Sequence, residues 1–220
     1  SDGKSIVRVP DMKIYKADSR SYHFDILQTY VSACKEQGIE LVVSIPVFFG
    51  GDGAACTPYL TLTNGGEINA EHFASPANDE FFEEITEYFS YIATHYAIDG
   101  IQYDYIRYPY FDGTTDFGYD DASKKLFTAE TGLGADVIDG IAKQLRAHEN
   151  WNDWVNFKTS LIDRRVAELS EKIRSLRPDI YISAAVANDT GADFYCQNSS
   201  HWLAAGNVDG IYPMSYSAGI

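Results

Sequence analysis

A carboxylate stands at the end of a largely apolar and aromatic strand pattern. Asp104 lies in IDGIQYDYIRYP, residues 98–109, and Arg107 and Tyr108 follow it closely. Burying a carboxylate without a partner is costly, so an acid at the end of an apolar strand needs a reason. Such a group can transfer protons at the mouth of a pocket, with Arg107 and Tyr108 orienting it or binding a ligand. An ion pair with Arg107 that only fixes the loop is the structural alternative.

The position of Asp104 within its strand predicts where its side chain points. Side chains alternate between the two faces of a strand, so Gln102 and Asp104 share one face while Ile101 and Tyr103 share the other. We expect the apolar set to pack against helices and the set with Asp104 to face the interior of a barrel. Catalytic groups of βα barrels come from the C-terminal ends of strands, which is where Asp104 stands.

The elements that would position Asp104 alternate between strand and helix patterns. Nearly continuous apolar runs predict strands at 5–10, 39–49, 98–104, 177–187 and 207–216. Apolar residues at helical spacing predict helices at 22–38, 75–96, 123–149, 153–177 and 200–206. Apolar strands separated by helices indicate a parallel sheet that is buried on both faces.

The number of predicted strands bounds the fold class. Five strands in 220 residues predict an α/β fold, a (β/α)8 TIM-type barrel that is incomplete in this chain, because a closed barrel takes about 250 residues. We expect further strands on both sides in the full-length protein. One barrel domain is predicted over 1–220, with a loop-rich insertion at 50–78 that contains a small hairpin. An open doubly wound sheet is the competing architecture.

Asp-Gly pairs open two of the predicted strands, in IDGI at 98–101 and VDGI at 208–211. Asp99 and Asp209 therefore stand at the N-terminal ends of their strands, the side of a βα barrel that serves stability. We interpret both as structural acids that accept hydrogen bonds from nearby donors.

Composition excludes several classes of partner and chemistry. The formal net charge is −15, from 17 basic and 32 acidic residues, which argues against a nucleic-acid partner. No apolar run is long enough for a transmembrane segment. The three cysteines and five histidines show no metal-ligand spacing, and neither a phosphate-binding loop nor a nucleophile elbow is present. We expect chemistry that needs neither a metal nor another cofactor.

Four segments together resemble the glycosyl hydrolase-like 10 family, a bacterial group of (β/α)8 glycosidases: YAIDGIQYDYIRYP, FGYDD, RPDIYISAAVA and HWLAAGNVDGIYPMSY. The resemblance implies a TIM-type barrel in a secreted, periplasmic or lipoprotein setting. It also implies a polysaccharide or oligosaccharide substrate, for example peptidoglycan glycan strands. By motif, Asp104 corresponds to the acid that ends the family's fourth strand, and Tyr212, Met214 and Tyr216 correspond to its PMxY strand end.

A more distant similarity is to the family 18 chitinases, whose strand motif has the form D-G-x-D-x-D-x-E. Aligned on Asp99 and Gly100, this chain keeps Asp104 but has Gln102 and Ile106 at two acidic positions. The glutamate that acts as the acid in chitinases has no counterpart here. The chitinase mechanism is therefore not expected to apply unchanged.

Hydrolysis of a glycosidic bond generally needs two carboxylates. Asp189 is the first candidate for the second carboxylate, because it shares a strand face with small Ser and Ala residues that leave room for a ligand. An Asx turn at NDTG is an equally simple structural explanation. The partner could also lie outside this chain. Weaker candidates are Asp11, Asp120 and Asp121.

These observations predict a glycoside hydrolase that acts on a polysaccharide through Asp104 and Asp189 at the C-terminal mouth of a barrel. The residues expected to bind the substrate are Arg107, Tyr108, Tyr212, Met214 and Tyr216. One alternative is a carbohydrate-binding barrel without catalytic activity. A second alternative is a metal-dependent deacetylase, which the absence of ligand spacing disfavours.

Overall fold

A four-stranded parallel sheet lies at the centre of the protein in the computed structural model, which describes residues 4–5, 16–17, 24–49, 73–188 and 192–215. A separate parallel pair joins β1 (Lys4–Ser5) to β2 (Lys16–Ala17). The strands of the central sheet are β3 (Val42–Pro46), β4 (Gly100–Asp104), β5 (Tyr181–Val186) and β6 (Gly210–Pro213). Their spatial order follows the chain, β3-β4-β5-β6, as in successive units of a barrel. A doubly wound sheet would reverse its order at a switch point, and the described strands contain none.

Helices connect the strands of this sheet. Their bounds are α1 (Ile26–Gln37), α2 (Asp79–His95), α3 (Asp121–Thr131), α4 (Ala135–Gln144), α5 (Trp151–Leu176), α6 (Ala192–Tyr195) and α7 (Ser199–Ala204). A 3₁₀ turn at Leu145–Ala147 follows α4.

The last four predicted strands are confirmed with shorter bounds. The predicted strand at 5–10, apart from Ser5, and most of the predicted hairpin insertion lie outside the described residues. The single helix predicted at 123–149 is wrong, because α3 ends at Thr131 and α4 begins at Ala135. Gly132 separates the two helices in the left-handed conformation, with a φ of 74°, and its N–H donates to the Thr128 carbonyl at 2.9 Å. A left-handed glycine in this position ends a helix.

Helix α2 shows how the sequence builds the layer behind the sheet. The Asn78 side chain caps it by accepting a hydrogen bond from the Phe81 N–H at 3.1 Å. Ile85 and Phe89 are fully buried, and the Phe89 ring lies 5.5 Å from the ring of Tyr103 in β4. The helix therefore buries its apolar face against the side of β4 that carries Tyr103.

A second apolar cluster packs α3, α4 and α5 together beside the loop that follows β4. Trp154 is fully buried there, with its ring 5.0 Å from the Phe127 ring and 5.5 Å from the Phe157 ring. All three tryptophans are core residues, since Trp151, Trp154 and Trp202 are 9%, 0% and 0% exposed.

Asp99 and Asp209 hold neighbouring strands together at the N-terminal edge of the sheet. The Asp99 carboxylate accepts a hydrogen bond from the Leu41 N–H at 2.7 Å, just before β3. The Asp209 carboxylate accepts from the Ile182 N–H in β5 at 2.8 Å and from the Arg174 guanidinium at 3.1 Å. The prediction that both are structural acids is confirmed, and it explains the repeated Asp-Gly pattern at the start of β4 and β6.

We expect Asp99→Ala and Asp209→Ala to lower the free energy of unfolding by about 1–2 kcal/mol each, because each leaves a backbone N–H without its charged acceptor. Asp209→Ala has the larger effect, since it also removes the partner of Arg174. Urea unfolding measures both changes. Asp179, an exposed turn residue before β5, is the matched control, and Asp179→Ala should change stability little. Equal effects from all three substitutions would contradict the assignment.

Candidate active site

A cavity of about 620 Å³ opens at the C-terminal ends of the central strands. This volume lies within the usual range for ligand pockets, about 300–1,000 Å³. The described residues that line it are Asp104, Tyr105, Arg107, Ala187, Asn188, Tyr195, Met214 and Ser215. They come from the ends of β4, β5 and β6 and from the segments just beyond, where βα barrels carry their active sites.

Asp104 faces this cavity because strand alternation places it opposite the helices. Ile101 and Tyr103 are fully buried on the helix side, and the Tyr103 hydroxyl lies 3.0 Å from the Ser170 hydroxyl of α5. Asp104 is only partly buried and lines the cavity. The expected orientation of its side chain is therefore confirmed.

The backbone turns sharply directly after Asp104. Tyr105 has a φ of 47°, a left-handed conformation that is uncommon for a residue with a side chain. Its N–H donates to Asp104 Oδ1 at 2.8 Å, which fixes one oxygen of the carboxylate. Val47 N–H donates to the Asp104 carbonyl at 2.8 Å and holds the end of β4 against the segment that follows β3. The second carboxylate oxygen, Oδ2, has no hydrogen-bond donor among the described residues.

Arg107 lines the same cavity and is surrounded by aromatic rings. Its Cζ lies 4.9 Å from the ring centroid of Tyr195, 5.0 Å from that of Tyr105 and 5.6 Å from that of Phe73. In the part of the chain that the structure describes, no carboxylate lies within ion-pair distance of Arg107. The alternative in which Asp104 only forms an ion pair with Arg107 is therefore not observed.

Tyr108 lies in the core, and its predicted contact with a ligand is wrong. Its side chain is 1% exposed, and its ring centroid lies 5.3 Å from the Lys158 ammonium. Burial raises the pKa of its hydroxyl well above the ordinary value. The chain turns away from the strand direction at Tyr105. The Tyr108 side chain is therefore directed into the core and not into the cavity.

A buried network around Asp116 anchors the loop that follows β4 to α5. Its carboxylate accepts hydrogen bonds from the Lys158 ammonium at 2.6 Å, the Trp154 indole at 3.0 Å and the Tyr119 hydroxyl at 2.8 Å. Asp116 and Lys158 are 1% and 3% exposed. Burial, followed by the adjacent Asp116 charge, raises the pKa of Tyr119. The loop after β4 begins with the cavity residues Tyr105 and Arg107 and is therefore fixed to α5 near its C-terminal end.

Gln197 joins the walls of the cavity that β4 and β5 provide. Its side chain is 3% exposed, donates to the Ile106 carbonyl at 3.1 Å and accepts from the Ala187 N–H at 2.8 Å. The Tyr108 N–H also donates to the Tyr195 carbonyl at 3.2 Å. These bonds hold Arg107 and Tyr195 on adjoining segments.

The residues of the PMxY segment lie in two different places. Met214 lines the cavity, and its N–H donates to the Val186 carbonyl at 2.8 Å. Tyr212 is 52% exposed and extends toward the N-terminal edge, with its hydroxyl 3.4 Å from that of Tyr181. This hydrogen bond, more than burial, raises the pKa of Tyr181 to about 12. Tyr212 is not among the described lining residues.

Three predicted site residues lie outside the described residues, namely Asp11, Asp189 and Tyr216. Asn188 precedes Asp189 and Ser215 precedes Tyr216, and both of these neighbours line the cavity. The roles of Asp189 and Tyr216 remain predictions.

Asp120 and Asp121 have structural positions at the start of α3. Asp120 is 7% exposed and caps the helix by accepting from the Ser123 N–H at 3.0 Å, and its other oxygen accepts from the Ser75 hydroxyl at 2.9 Å. Asp121 is exposed in the first helical turn. Neither is among the described residues that line the cavity. This position makes both of them poorer candidates for the second catalytic carboxylate.

Tyr195 is one of the cavity residues that the sequence pattern does not predict, as are Tyr105, Asn188 and Ser215. It follows the segment after β5 in the short helix α6, and no periodic pattern or motif marks it. Asn188 was adjacent to a predicted site residue and was also missed. Proximity to Asp189 at the end of a predicted strand was the signal that would have identified it.

The described residues contain neither a membrane-spanning helix nor a metal-binding cluster. No helix in the described ranges is long and apolar enough to cross a membrane. Within those same ranges, no three His, Cys, Asp or Glu side chains group closely enough to hold a metal ion. The absence of a metal cofactor stays a prediction.

Known structures confirm the fold. The glycoside hydrolase domain of PgaB (BpsB) from Bordetella bronchiseptica matches with a TM-score of 0.67 and 13% identity, over 91% of this chain and 56% of that one. An alpha-L-fucosidase from Paenibacillus thiaminolyticus has a TM-score of 0.58 and 16% identity, over 82% and 25% of the two chains. A beta-galactosidase from Bacillus circulans sp. alkalophilus has a TM-score of 0.58 and 13% identity, over 90% and 33%. The described sheet and helices therefore correspond to part of a TIM-type barrel, and this chain spans about half of the PgaB domain.

Sequence comparison identifies the family. No curated protein matches the chain. The family model for glycosyl hydrolase-like 10 matches residues 60–220, which include β4, β5, β6 and every described residue that lines the cavity. This chain belongs to the glycosyl hydrolase-like 10 family.

Proposed function

We propose that this protein is a glycoside hydrolase that cleaves a polysaccharide in the cavity at the C-terminal end of its sheet. The observation that carries the proposal is the position of Asp104, a partly exposed carboxylate at the end of β4 in a cavity of about 620 Å³. The family and the fold support the same class of reaction. A site outside the cytoplasm, where polysaccharides are accessible, fits this activity.

Asp104 acts in this proposal as the general acid or as a charge that stabilises the transition state. One oxygen is held by the Tyr105 N–H, and the other is left for the substrate. A glycosidase needs a second carboxylate, and Asp189 is the proposed partner because it directly follows the lining residue Asn188. A separation of about 5–5.5 Å between the two would give retention of configuration, and about 6.5–9.5 Å would give inversion.

The substrate is proposed to contact Arg107 and Met214 in the cavity, with Tyr216 extending the binding surface. Tyr212 is left out of this surface, because its side chain extends toward the opposite edge of the sheet. Aromatic residues contribute large, rigid faces of the type that pack against sugar rings. Tyr195 joins this set on the evidence of the cavity lining.

A carbohydrate-binding protein without catalytic activity is the second candidate. One observation favours it, since Asp104 is the sole carboxylate among the described residues that line the cavity. Such a protein would bind the same polymers and release no reducing ends.

The decisive experiment is to incubate the protein with a panel of bacterial and plant polysaccharides, including peptidoglycan glycan strands, and to measure reducing ends. We expect release from at least one polymer. Proton NMR of the first product then gives the anomeric configuration and hence the mechanism. Binding to a polymer without any release of reducing ends would favour the non-catalytic alternative.

A further inference from the structure

We propose that Arg107 binds an acidic substituent on the sugar chain, a carboxylate or a sulfate, so that the protein selects anionic polysaccharides. The proposal rests on the proposed function for the identity of the ligand as a glycan. Its anion site, however, is argued from Arg107 and its surroundings alone.

The aromatic rings around Arg107 fix the guanidinium without neutralising it. Phe73, Tyr105 and Tyr195 lie with their ring centroids 4.9–5.6 Å from Cζ. Ring faces attract a cation through their quadrupoles, with a small energy at such distances. They also displace water from around the guanidinium, which strengthens its interaction with any anion that enters the cavity.

The described residues use little of the hydrogen-bonding capacity of Arg107. A guanidinium carries five N–H donors. Nη1 donates to the Tyr108 carbonyl at a long 3.5 Å, while Nε is buried with no hydrogen-bond partner. Planar carboxylate and sulfate groups match the fork of donors that a guanidinium presents, so an anion would supply the acceptors that the described residues do not.

The negative net charge of the chain makes the positive charge of Arg107 important for anion binding. With a net charge of −15, the protein repels polyanions in general. Arg107 is the one basic residue among the described residues that line the cavity. An acidic sugar could therefore be held at this point while the surrounding surface disfavours nonspecific polyanion binding.

Another arginine of this chain provides a matched control. Arg146 also packs on aromatic rings, with Cζ 4.9 Å from the Phe111 centroid and 4.7 Å from the Phe194 centroid. It is exposed and does not belong to the described cavity lining. Arg146→Met removes a guanidinium of similar environment from outside the site.

The test measures binding in the Asp104→Asn background, so that turnover does not obscure affinity. The carboxylate probes are oligogalacturonate and its methyl ester, and the sulfate probes are dextran sulfate and dextran oligosaccharides. We expect one acidic probe to bind at least about tenfold more tightly than its neutral counterpart. The preference should shrink as salt is added, because screening weakens charge interactions at the cavity mouth.

Arg107→Met should reduce this preference to less than about twofold, and Arg107→Lys should retain part of it because the charge remains without the fork. Arg146→Met should retain it fully. The proposal is overturned by equal affinities for the acidic and neutral probes of both pairs, a comparison that needs no substitution at Arg107. It is equally overturned by a preference that survives in Arg107→Met or disappears in Arg146→Met.

The outcomes also separate this proposal from the hydrolase assignment. An acid preference that depends on Arg107, in a protein that releases no reducing ends from any polymer, would overturn hydrolysis and support the anion site. Hydrolysis of a neutral polymer, together with equal affinities for the acidic and neutral member of both probe pairs, would support hydrolysis and overturn the anion site.

Discussion

Asp104→Asn is expected to abolish turnover of the polysaccharide substrate while leaving the fold intact. Removing a general acid or base typically lowers the rate by about 10²–10⁴-fold. The asparagine amide has the same shape as the carboxylate and its oxygen can still accept the Tyr105 N–H. It cannot, however, exchange a proton or carry charge. Reducing-end assays on the polymer identified by the screen measure the loss.

The loss of activity must be separated from a loss of folding or binding. The thermal unfolding midpoint and the glycan affinity of Asp104→Asn should both stay close to those of the unaltered protein. Asp112→Asn is the matched control, because Asp112 is an exposed aspartate on the same loop, outside the described cavity lining, and accepts from the Thr114 N–H at 2.7 Å. Full activity of Asp104→Asn would defeat the catalytic assignment, and so would an equal loss in Asp112→Asn.

Asp116→Ala is expected to lower the free energy of unfolding by about 3–5 kcal/mol, because it leaves a buried ammonium without its counter-ion. The Trp154 indole and the Tyr119 hydroxyl would lose an acceptor in the same change. Such a loss is a large fraction of the stability of an ordinary domain. Urea unfolding at constant pH measures it.

A double substitution tests the physical reason. Lys158→Met in the Asp116→Ala background removes the uncompensated charge, so the double variant should be more stable than Asp116→Ala alone. Glu130→Ala provides the surface comparison, since Glu130 pairs with Arg164 at 2.8 Å with both side chains more than a third exposed. That change should cost less than about 1 kcal/mol. An Asp116→Ala variant as stable as Glu130→Ala would contradict the buried network.

Strand alternation predicted the orientation of Asp104 correctly because it follows from the geometry of an extended backbone. The same reasoning does not extend beyond Tyr105, where the positive φ ends the strand. Tyr108 follows Asp104 closely in the sequence, which suggests the pocket wall, yet its side chain lies in the core. Adjacency in sequence was a poor guide once the chain had turned.

Contacts between distant segments account for most of what the sequence did not predict. Nothing in the spacing of the tryptophans indicates that Trp154 and Lys158 both donate hydrogen bonds to the Asp116 carboxylate. In the same way, Gln197 bridges Ile106 and Ala187 across the cavity rim, and no local pattern marks that role. Such pairings depend on the packing of the whole chain.

The carboxylates that open β4 and β6 have a consequence for how this protein can be altered. Asp99 and Asp209 each tie a strand to its neighbour through the main chain, at the rim opposite the cavity. Strand alignment is thus secured independently of the segments that meet the ligand. Substitutions in those segments can therefore change what the cavity accepts while the alignment of the strands beneath them is retained.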